Sequence, residues 1–339
     1  MTHEFKNIVK QYNRATAQGI KSVLATVVAL DGSSYRRPGV RMLILEDGSM
    51  TGAVSGGCVE KEVLRQAQSV FLDNKPKVMT YDGRYRLGCE GILYILLEPF
   101  NVEDNFIETF NTNIKNREDF SITSFFSKTE NDFAKMGSVI AYAEGKSFPL
   151  SKNFDLNQTE DLDQFKQLMK PCFKLMIIGG EHDAVQLCAS ASLLGWEVNV
   201  VASPKDPKTL IHFPGAEELL NIPPEQLPLD GIDQETAIIL MNHNYAYDLK
   251  FLIALKDSNP AYIGLLGPSK RREKILNEFL EFCPDLDDSL FDVIHGPSGL
   301  NIGAETPQEI AISILSEILT VIREKEPFPL KEKVGGIHN

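Results

Sequence analysis

A cysteine follows two glycines in the segment AVSGGCVEKEV, residues 53–63. The residues after it have apolar positions at helical spacing, so Cys58 is predicted to lie at or beside a helix N-terminus. The unpaired amides and the dipole of that helix end favour a thiolate, the form of cysteine that reacts and binds metals. Most free cysteines are nevertheless small buried hydrophobic residues. Two interpretations of Cys58 therefore stay open, a functional thiol and a packing residue.

Two basic clusters occur in a chain whose formal net charge is −13. They are Arg36, Arg37 and Arg41 in SSYRRPGVR, and Lys270, Arg271 and Arg272 at the start of a predicted helix in GPSKRREKILNEFL. The helix dipole disfavours cations at a helix start. Each cluster is either a solvated basic surface or an anion site, in which guanidinium groups and backbone amides hold a phosphate.

Length and composition limit the classes of protein to consider. A chain of 339 residues exceeds the usual size of a single core, so two domains are expected. The acidic balance argues against duplex nucleic acid or an anionic membrane as the main partner. None of the five cysteines forms a CxxC pair, which argues against a disulfide framework or a structural zinc site.

The N-terminal segment MTHEFKNIVKQYNRATAQGIKS has the pattern of an amphipathic helix rather than of a signal peptide. No apolar run approaches the roughly 20 residues that cross a bilayer. We therefore expect a soluble, cytoplasmic protein that does not span a membrane.

The first half of the chain has short strands separated by glycine-containing turns. The predicted strands are SVLATVVAL (22–30), VRMLIL (40–45), GSMTGAV (48–54) and GILYILLEP (91–99). Helices are predicted at the N-terminus and after Cys58, which indicates a small α+β domain over residues 1–150. Strands at DFSITSFFS and GSVIAYA would complete this domain, and a helix at EDLDQFKQLMK falls in a predicted linker at residues 151–170.

The second half changes its periodicity. An apolar strand, FKLMIIGG, is followed by a helical segment, AVQLCASASLLG, and by a second apolar strand, WEVNVVAS. This is the βαβ pattern of a doubly wound parallel sheet, so residues 171–326 are predicted to form a Rossmann-like domain, with a tail over residues 327–339. Thr306, Pro307 and Glu309 predict the capped start of its last helix.

The first turn of this domain, GGEHDA at residues 179–184, departs from a dinucleotide-binding sequence. Gly179 and Ala184 fill the outer positions of G-x-G-x-x-A, but Glu181 takes the middle position, where glycine lets the backbone approach a diphosphate. Ala202 stands near the end of the second strand, where an acidic residue would bind the ribose. The Rossmann pattern is present, whereas the usual NAD(P) pattern is not.

Three of the six histidines, His182, His243 and His295, follow predicted strands of the second half. The carboxyl ends of parallel strands open onto a shared crevice in which ligands bind. These histidines either contribute to one site or are ordinary loop residues. A metal cluster of all three is the less favoured arrangement, because residues on separate strands need not converge within bonding distance.

Several long segments resemble the XdhC/CoxI family. GSSYRRPGVRMLI, GAVSGGCVEKEV and LGCEGILYILLEP are similar to its N-terminal domain. YIGLLGPSKRREKIL and HGPSGLNIGAETPQEIAISILSEI resemble its C-terminal Rossmann domain, and MNHNYAYDLKFL is similar to its His- and Asp-bearing segment. The resemblance runs in order over nearly the whole chain, apart from the middle region and the last dozen residues.

The resemblance implies an accessory factor for molybdenum hydroxylases such as xanthine dehydrogenase. Such a factor binds the molybdenum cofactor, as molybdopterin or its cytosine dinucleotide form, protects it during sulfuration and delivers it to the apo-enzyme. A cysteine desulfurase is a second implied partner, and a homodimer is the implied assembly. The family behaves as a maturation chaperone more than as a catalyst, and this chain has no iron–sulfur cysteine runs of its own.

The resemblance also implies site residues. Gly56 and Gly57 would let backbone amides approach the cofactor, Cys58 would contact molybdenum or its sulfido group, and the basic clusters would bind phosphate or pterin oxygens. In the second half, Gly179, His182, Lys270, Arg271 and Arg272 are the candidates for ligand binding. Cys89 is a second candidate thiol or a buried structural one, and Cys172, Cys188 and Cys283 are interpreted as packing residues.

Two other functions remain as alternatives. One is an NAD(P)-dependent oxidoreductase built on the Rossmann domain, with Glu181 as its main obstacle. The other is a redox or sulfur relay that carries a persulfide on Cys58.

Overall fold

The computed structural model describes residues 1–32, 34, 36–57, 59–85, 91–129, 135–285 and 289–334. The chain divides into two compact units, Met1–Pro171 and Cys172–Asn339. The segment 151–170, predicted as a linker, lies within the first unit and supplies one of its strands. Across the described part of the chain, no helix combines the length and the apolar character needed to cross a membrane.

The first unit contains three helices and nine strands among its described residues. In chain order they are α1 (Thr2–Ala17), β1 (Ser22–Asp31), β2 (Arg41–Leu45), β3 (Met50–Gly52), α2 (Glu60–Asp73), β4 (Lys77–Asp82), β5 (Ile92–Pro99), α3 (Phe106–Asn116), β6 (Phe120–Phe126), β7 (Gly137–Tyr142), β8 (Ser147–Pro149) and β9 (Asp163–Met169).

A five-stranded antiparallel sheet, in the order β3-β2-β1-β5-β4, carries the GGC segment at one of its edges. Alternate residues of β1, such as Ala25 and Val27, face α2, whose side chains Val63, Ala67 and Val70 are buried against the sheet. The predicted helix after Cys58 is confirmed, because its apolar stripe recurs at the helical period and finds this face.

The opposite face of this sheet packs with α1, α3 and a second antiparallel sheet, in the order β8-β7-β6-β9. Phe5 of α1, Phe110 of α3 and Phe120 of β6 meet there as an aromatic cluster. The prediction of a helix at EDLDQFKQLMK is wrong, because residues 163–169 form β9 and pair with β6. Phe165 and Met169 turn towards the core at a period of two, and this packing outweighs the helix propensity of the intervening residues.

The second unit alternates strands and helices. In chain order these are β10 (Lys174–Ile178), α4 (His182–Leu193), β11 (Glu197–Ala202), β12 (Ala216–Asn221), β13 (Thr236–Leu240), α5 (Tyr245–Ala254), β14 (Tyr262–Leu265), α6 (Ser269–Phe282), α7 (Ser289–Asp292), β15 (Ile294–His295) and α8 (Pro307–Ile322).

These strands form a six-stranded parallel sheet in the order β12-β11-β10-β13-β14-β15, which confirms the Rossmann-like prediction. Both faces are covered, as parallel sheets require. Leu175 and Ile177 of β10 face α4 and α8, whereas Met176 and Ile178 face α5 and α6.

The predicted start of α8 is confirmed in detail. The Thr306 hydroxyl accepts from the Glu309 N–H at 3.3 Å, and the Glu309 carboxylate accepts from the Thr306 N–H at 2.9 Å. This reciprocal capping box satisfies two backbone donors at the helix start.

Candidate functional site

The GGC segment lies between β3 and α2, and Gly56 and Gly57 are exposed there. Gly57 has a φ of +115°, a backbone conformation that glycine adopts without strain. A Cβ atom at Gly56 or Gly57 would meet no heavy atom of the described residues within 4 Å, so the backbone has room there for an approaching group. Cys58 lies outside the described residues.

Two side chains brace this turn. The Ser55 N–H and hydroxyl both donate to the Glu60 carboxylate, each at 2.7 Å, and the Ser55 hydroxyl accepts from the N–H groups of Gly57 and Val59 at 3.2 Å. Burial acts to raise the pKa of Glu60, but the hydrogen bonds from Ser55 and the backbone outweigh it and lower that pKa. The Gly57 amide is therefore used inside the turn. Sequence reasoning missed this brace, although a serine five residues before a glutamate at a helix start was its visible signal.

The three arginines of the first cluster have different surroundings. Arg37 is exposed and Arg36 is half-buried, in the segment that precedes β2. Arg41 is buried, and its guanidinium donates to the Gly39 carbonyl at 3.0 Å and to Gln167 of β9. Burial lowers the pKa of Arg41 to about 10, and Glu98 opposes that shift. Arg41 is thus part of the interior of the first unit rather than of an exposed basic surface.

A buried carboxyl group, missed by the sequence reasoning, lies in the same interior. Glu98 of β5 accepts from the Ser138 N–H at 2.8 Å and from the Ser138 hydroxyl at 2.6 Å. Burial raises the pKa of Glu98 to about 7, against the opposing effects of these hydrogen bonds and of Arg41. A lone glutamate inside the apolar run ILYILLEP was the available signal.

In the second unit, the glycine turn after β10 is packed rather than open. Gly179 has a φ of +150°, and a Cβ atom there would lie 2.8 Å from the Met241 carbonyl oxygen. Glu181 follows at the N-cap of α4, makes no capping hydrogen bond with its side chain, and is exposed. His182 begins α4 and is also exposed.

The second basic cluster also divides into exposed and packed members. Lys270 is exposed, whereas Arg271 donates to the Asp248 carboxylate at 2.6 Å and to the Asn242 carbonyl at 2.8 Å. The Asp248 side chain is 1% exposed, and burial raises its pKa to about 6 despite Asn242 and Arg271. The half-buried Arg272 packs its methylenes near Gly296. The Arg271 guanidinium therefore fixes the segment after β13 through a partner on α5.

The three histidines do not share one set of contacts. His243 lines a cleft at the carboxyl ends of β10, β11 and β13. His295 stacks on Tyr262 with ring centroids 4.4 Å apart, and its Nδ1 lies 3.6 Å from Glu317. Among the residues that the structure describes, no group of three or more His, Cys, Asp or Glu side chains is arranged to hold a metal ion.

The cysteines that the structure describes are buried or partly buried. Cys172 and Cys188 are buried, and Cys283 is partly buried. Burial raises the pKa of Cys188 to about 11, which makes it a poor nucleophile at neutral pH. Cys89, like Cys58, lies outside the described residues.

The fold defines a two-unit protein, in which the first unit is α+β and the second is a Rossmann-like domain. The model of the XdhC and CoxI family matches residues 15–82, and that of the XdhC Rossmann domain matches residues 175–318. The chain belongs to the XdhC and CoxI family.

Relatives align over both units. A probable xanthine dehydrogenase subunit of Bacillus subtilis is 27% identical over 319 residues, which cover 88% of this chain and 92% of the relative. The molybdenum cofactor insertion chaperone PaoD of Escherichia coli is 22% identical over 336 residues, 96% of this chain and 91% of the relative. A crystal structure of a xanthine dehydrogenase from Bacillus halodurans shares the fold, with a TM-score of 0.76 at 24% identity over 95% of this chain and 98% of the other.

Proposed function

We propose that this protein is an accessory factor that binds the molybdenum cofactor and assists its insertion into a molybdenum hydroxylase of the xanthine dehydrogenase type. The observation that carries the proposal is the alignment with a molybdenum cofactor insertion chaperone over 96% of this chain and 91% of that relative. Both units are included, so the likeness extends beyond a shared Rossmann fold.

The turn before α2 is the proposed binding site. Its glycines leave room for a bulky anionic ligand, although the Gly57 N–H already donates to Ser55, and the Ser55–Glu60 hydrogen bonds hold the turn in place before any ligand arrives. Cys58, next in the chain, would supply a thiolate, which is a soft ligand suited to molybdenum and its sulfido group.

The arginines contribute unequally to this proposal. Arg36 is half-buried and Arg37 is exposed in the segment before β2. From there their guanidinium groups can reach phosphate or pterin oxygens of the ligand. Arg41 is left out as a ligand group, because it is buried and donates to Gly39 and Gln167. Arg271 is left out as well, because its guanidinium already donates to the Asp248 carboxylate and the Asn242 carbonyl.

The finer parts of the proposal follow from family membership. The factor would protect the cofactor during sulfuration, receive sulfur through a cysteine desulfurase, act in the cytoplasm and form a homodimer. The cofactor would be molybdopterin or its cytosine dinucleotide form. Each of these finer proposals can fail without contradicting the binding of the cofactor.

The test is the pterin content of the protein purified anaerobically from a host that makes the molybdenum cofactor. We expect near-stoichiometric pterin, measured by fluorescence after oxidation, in the wild type and a loss of most of it in Cys58→Ser. Cys283→Ser is the matched control, because this partly buried thiol lies in the other unit. Equal pterin in the wild type and Cys58→Ser would remove Cys58 from the site, and no pterin in any folded variant would contradict the proposal.

The alternative of an NAD(P)-dependent oxidoreductase has less support. Glu181 puts a carboxylate at the N-cap of α4, where the diphosphate of a dinucleotide normally lies against a glycine. A persulfide on Cys58 remains compatible with a maturation factor, and mass spectrometry after incubation with a desulfurase would detect it.

A further inference from the structure

A cleft of about 350 Å³ opens at the carboxyl ends of β10, β11 and β13 in the second unit. The strand order reverses there, because β11 lies on one side of β10 and β13 on the other. Ligands of doubly wound sheets bind at such a switch point. We propose that this cleft binds a nucleoside monophosphate, with the phosphate at Lys205 and Lys208 and the base beside Tyr247. This site is independent of the function proposed for the first unit.

The phosphate side follows β11. In dinucleotide sites an acidic residue at the end of this strand binds the ribose hydroxyls of NAD, whereas a nearby arginine accommodates the 2′-phosphate of NADP. Here β11 ends at Ala202, and Lys205 and Lys208 follow within the cleft lining. The position thus has the charge expected for a phosphate group.

Two hydrogen bonds between the Lys208 backbone and the Asn221 side chain hold Lys208 in position. Its N–H donates to the Asn221 side-chain oxygen at 2.8 Å, and its carbonyl accepts from the Asn221 amide at 3.0 Å. Its methylene carbons lie 3.4 Å from where a Cβ of Gly180 would be, so the side chain crosses the glycine turn. The side chain therefore runs along the cleft lining, and its ammonium group lies beside Asp206.

Asp206 competes for this lysine. Its carboxylate lies 2.6 Å from Lys208 Nζ, but the Asp206 side chain is 70% exposed. Exposed ion pairs contribute only about 0–1 kcal/mol, so a phosphate can replace this partner at small cost. Asp206 is consequently expected to weaken binding rather than to support it.

The opposite wall offers a place for a base. Tyr247 and His243 line it, and aromatic faces stack on bases. Asn242, on the same wall, is fixed because its amide donates to Asp248 at 2.9 Å and its carbonyl accepts from Arg271 at 2.8 Å. The wall is thus preorganised before a ligand arrives.

Size and charge favour a mononucleotide over a dinucleotide. A volume of about 350 Å³ is near the small end of the roughly 300–1,000 Å³ range of ligand pockets. Glu181 lines the same cleft and places a carboxylate where a diphosphate bridge would run. Glu181 also interacts electrostatically with Lys208 and, like Asp206, is expected to weaken the binding of a phosphate there.

The test is isothermal titration of the full chain, purified without pterin, with AMP and CMP. We expect a Kd below about 1 mM for at least one of them, and binding about tenfold weaker or worse for adenosine and cytidine. The double variant Lys205→Gln/Lys208→Gln should weaken the nucleotide by at least about tenfold, and Asp206→Asn should tighten it several-fold. Lys250→Gln, an exposed lysine of α5 outside the cleft lining, is the matched control and should change nothing.

Three results would overturn this assignment. One is no binding of AMP or CMP at about 5 mM, and another is undiminished binding in the double lysine variant. The third is inorganic phosphate binding as tightly as the nucleotides, which would leave an anion site without a base subsite. Pterin content of the same protein is read separately, so this site and the proposed function can fail independently.

Discussion

Each unit of this protein joins a strand to a helix through a glycine-containing turn, and the two turns use glycine differently. At Gly56 and Gly57 a Cβ atom would meet open space, whereas at Gly179 it would lie 2.8 Å from the Met241 carbonyl oxygen. The first turn is held by side chains, through Ser55 and Glu60. The second is held by backbone packing. A glycine before a helix is therefore evidence for an exposed ligand turn only where the space around it is open.

The packed turn depends in addition on a buried ion pair. Gly179 rests against Met241, and the next residue, Asn242, is fixed by Asp248 and Arg271. The open turn is held by hydrogen bonds from Ser55 to Glu60 of α2, without a buried ion pair among its described contacts. Substitutions at the packed turn should therefore cost more stability than substitutions at the open turn.

The largest effect is expected for Arg271→Gln. It leaves the buried Asp248 carboxylate without its cation, which should lower the free energy of unfolding by about 3–5 kcal/mol. Because Arg271 lowers the pKa of Asp248, its loss should raise that pKa further above about 6, so Asp248 is protonated at a higher pH in the variant. The deficit should therefore shrink as the pH falls through this higher pKa towards about 6. Denaturant unfolding at pH 7.5 and pH 5, with a probe in the second unit, measures both effects.

Lys270→Gln is the control for that substitution, since it removes a neighbouring but exposed cation of α6. It should change stability by less than about 0.5 kcal/mol. Equal losses for both variants would mean that the basic run acts through its total charge rather than through the Asp248 pair.

A smaller loss is expected for Gly179→Ala. The added Cβ meets the Met241 backbone and the residue keeps a positive φ, so we expect a loss of about 2–4 kcal/mol. Gly57→Ala shares the positive φ but meets open space, and it should lose only about 1 kcal/mol. Thermal unfolding of the two variants side by side makes the comparison, and equal losses would contradict the distinction between packed and open turns.

The smallest effect is expected for Glu60→Gln. It weakens the brace on Ser55 and should cost about 1 kcal/mol at pH 7. The folded protein lowers the pKa of Glu60 below its ordinary value of 4.5, so this contribution is present above pH 4.5 and is lost as the pH falls through the folded pKa. The difference between wild type and variant, measured from pH 7 to pH 3, should therefore close at the acid end. A difference independent of pH would mean that Glu60 acts through packing alone.

Features governed by local spacing were predictable from the sequence. The capping box of α8 and the apolar stripe of α2 depend on residues three to four positions apart, and both are confirmed. The parallel sheet of the second unit was visible in its continuous apolar strands. The strand β9 was not predicted, because its partner β6 lies about 40 residues earlier in the chain. The lysine and glutamines of β9 also favour a helix locally.

The sequence did not predict which residues of the basic clusters are exposed, for a related reason. Arg41 is buried and donates to a partner 126 residues away, whereas Arg271 is half-buried and donates to one 23 residues away. Their neighbours Arg37 and Lys270, of the same residue classes, stay exposed. Charge and spacing identify such clusters, but only the fold decides which member turns inward.

Transfer of the molybdenum cofactor from this protein to a hydroxylase is the step that the proposed function requires. The decisive measurement is the activity gained by an apo-form of a xanthine dehydrogenase-type hydroxylase, incubated anaerobically with the pterin-loaded protein. We expect a gain that exceeds that from the same amount of free cofactor and is absent when Cys58→Ser is substituted for the wild type. An equal gain from free cofactor, with no advantage from the loaded protein, would contradict the proposed function.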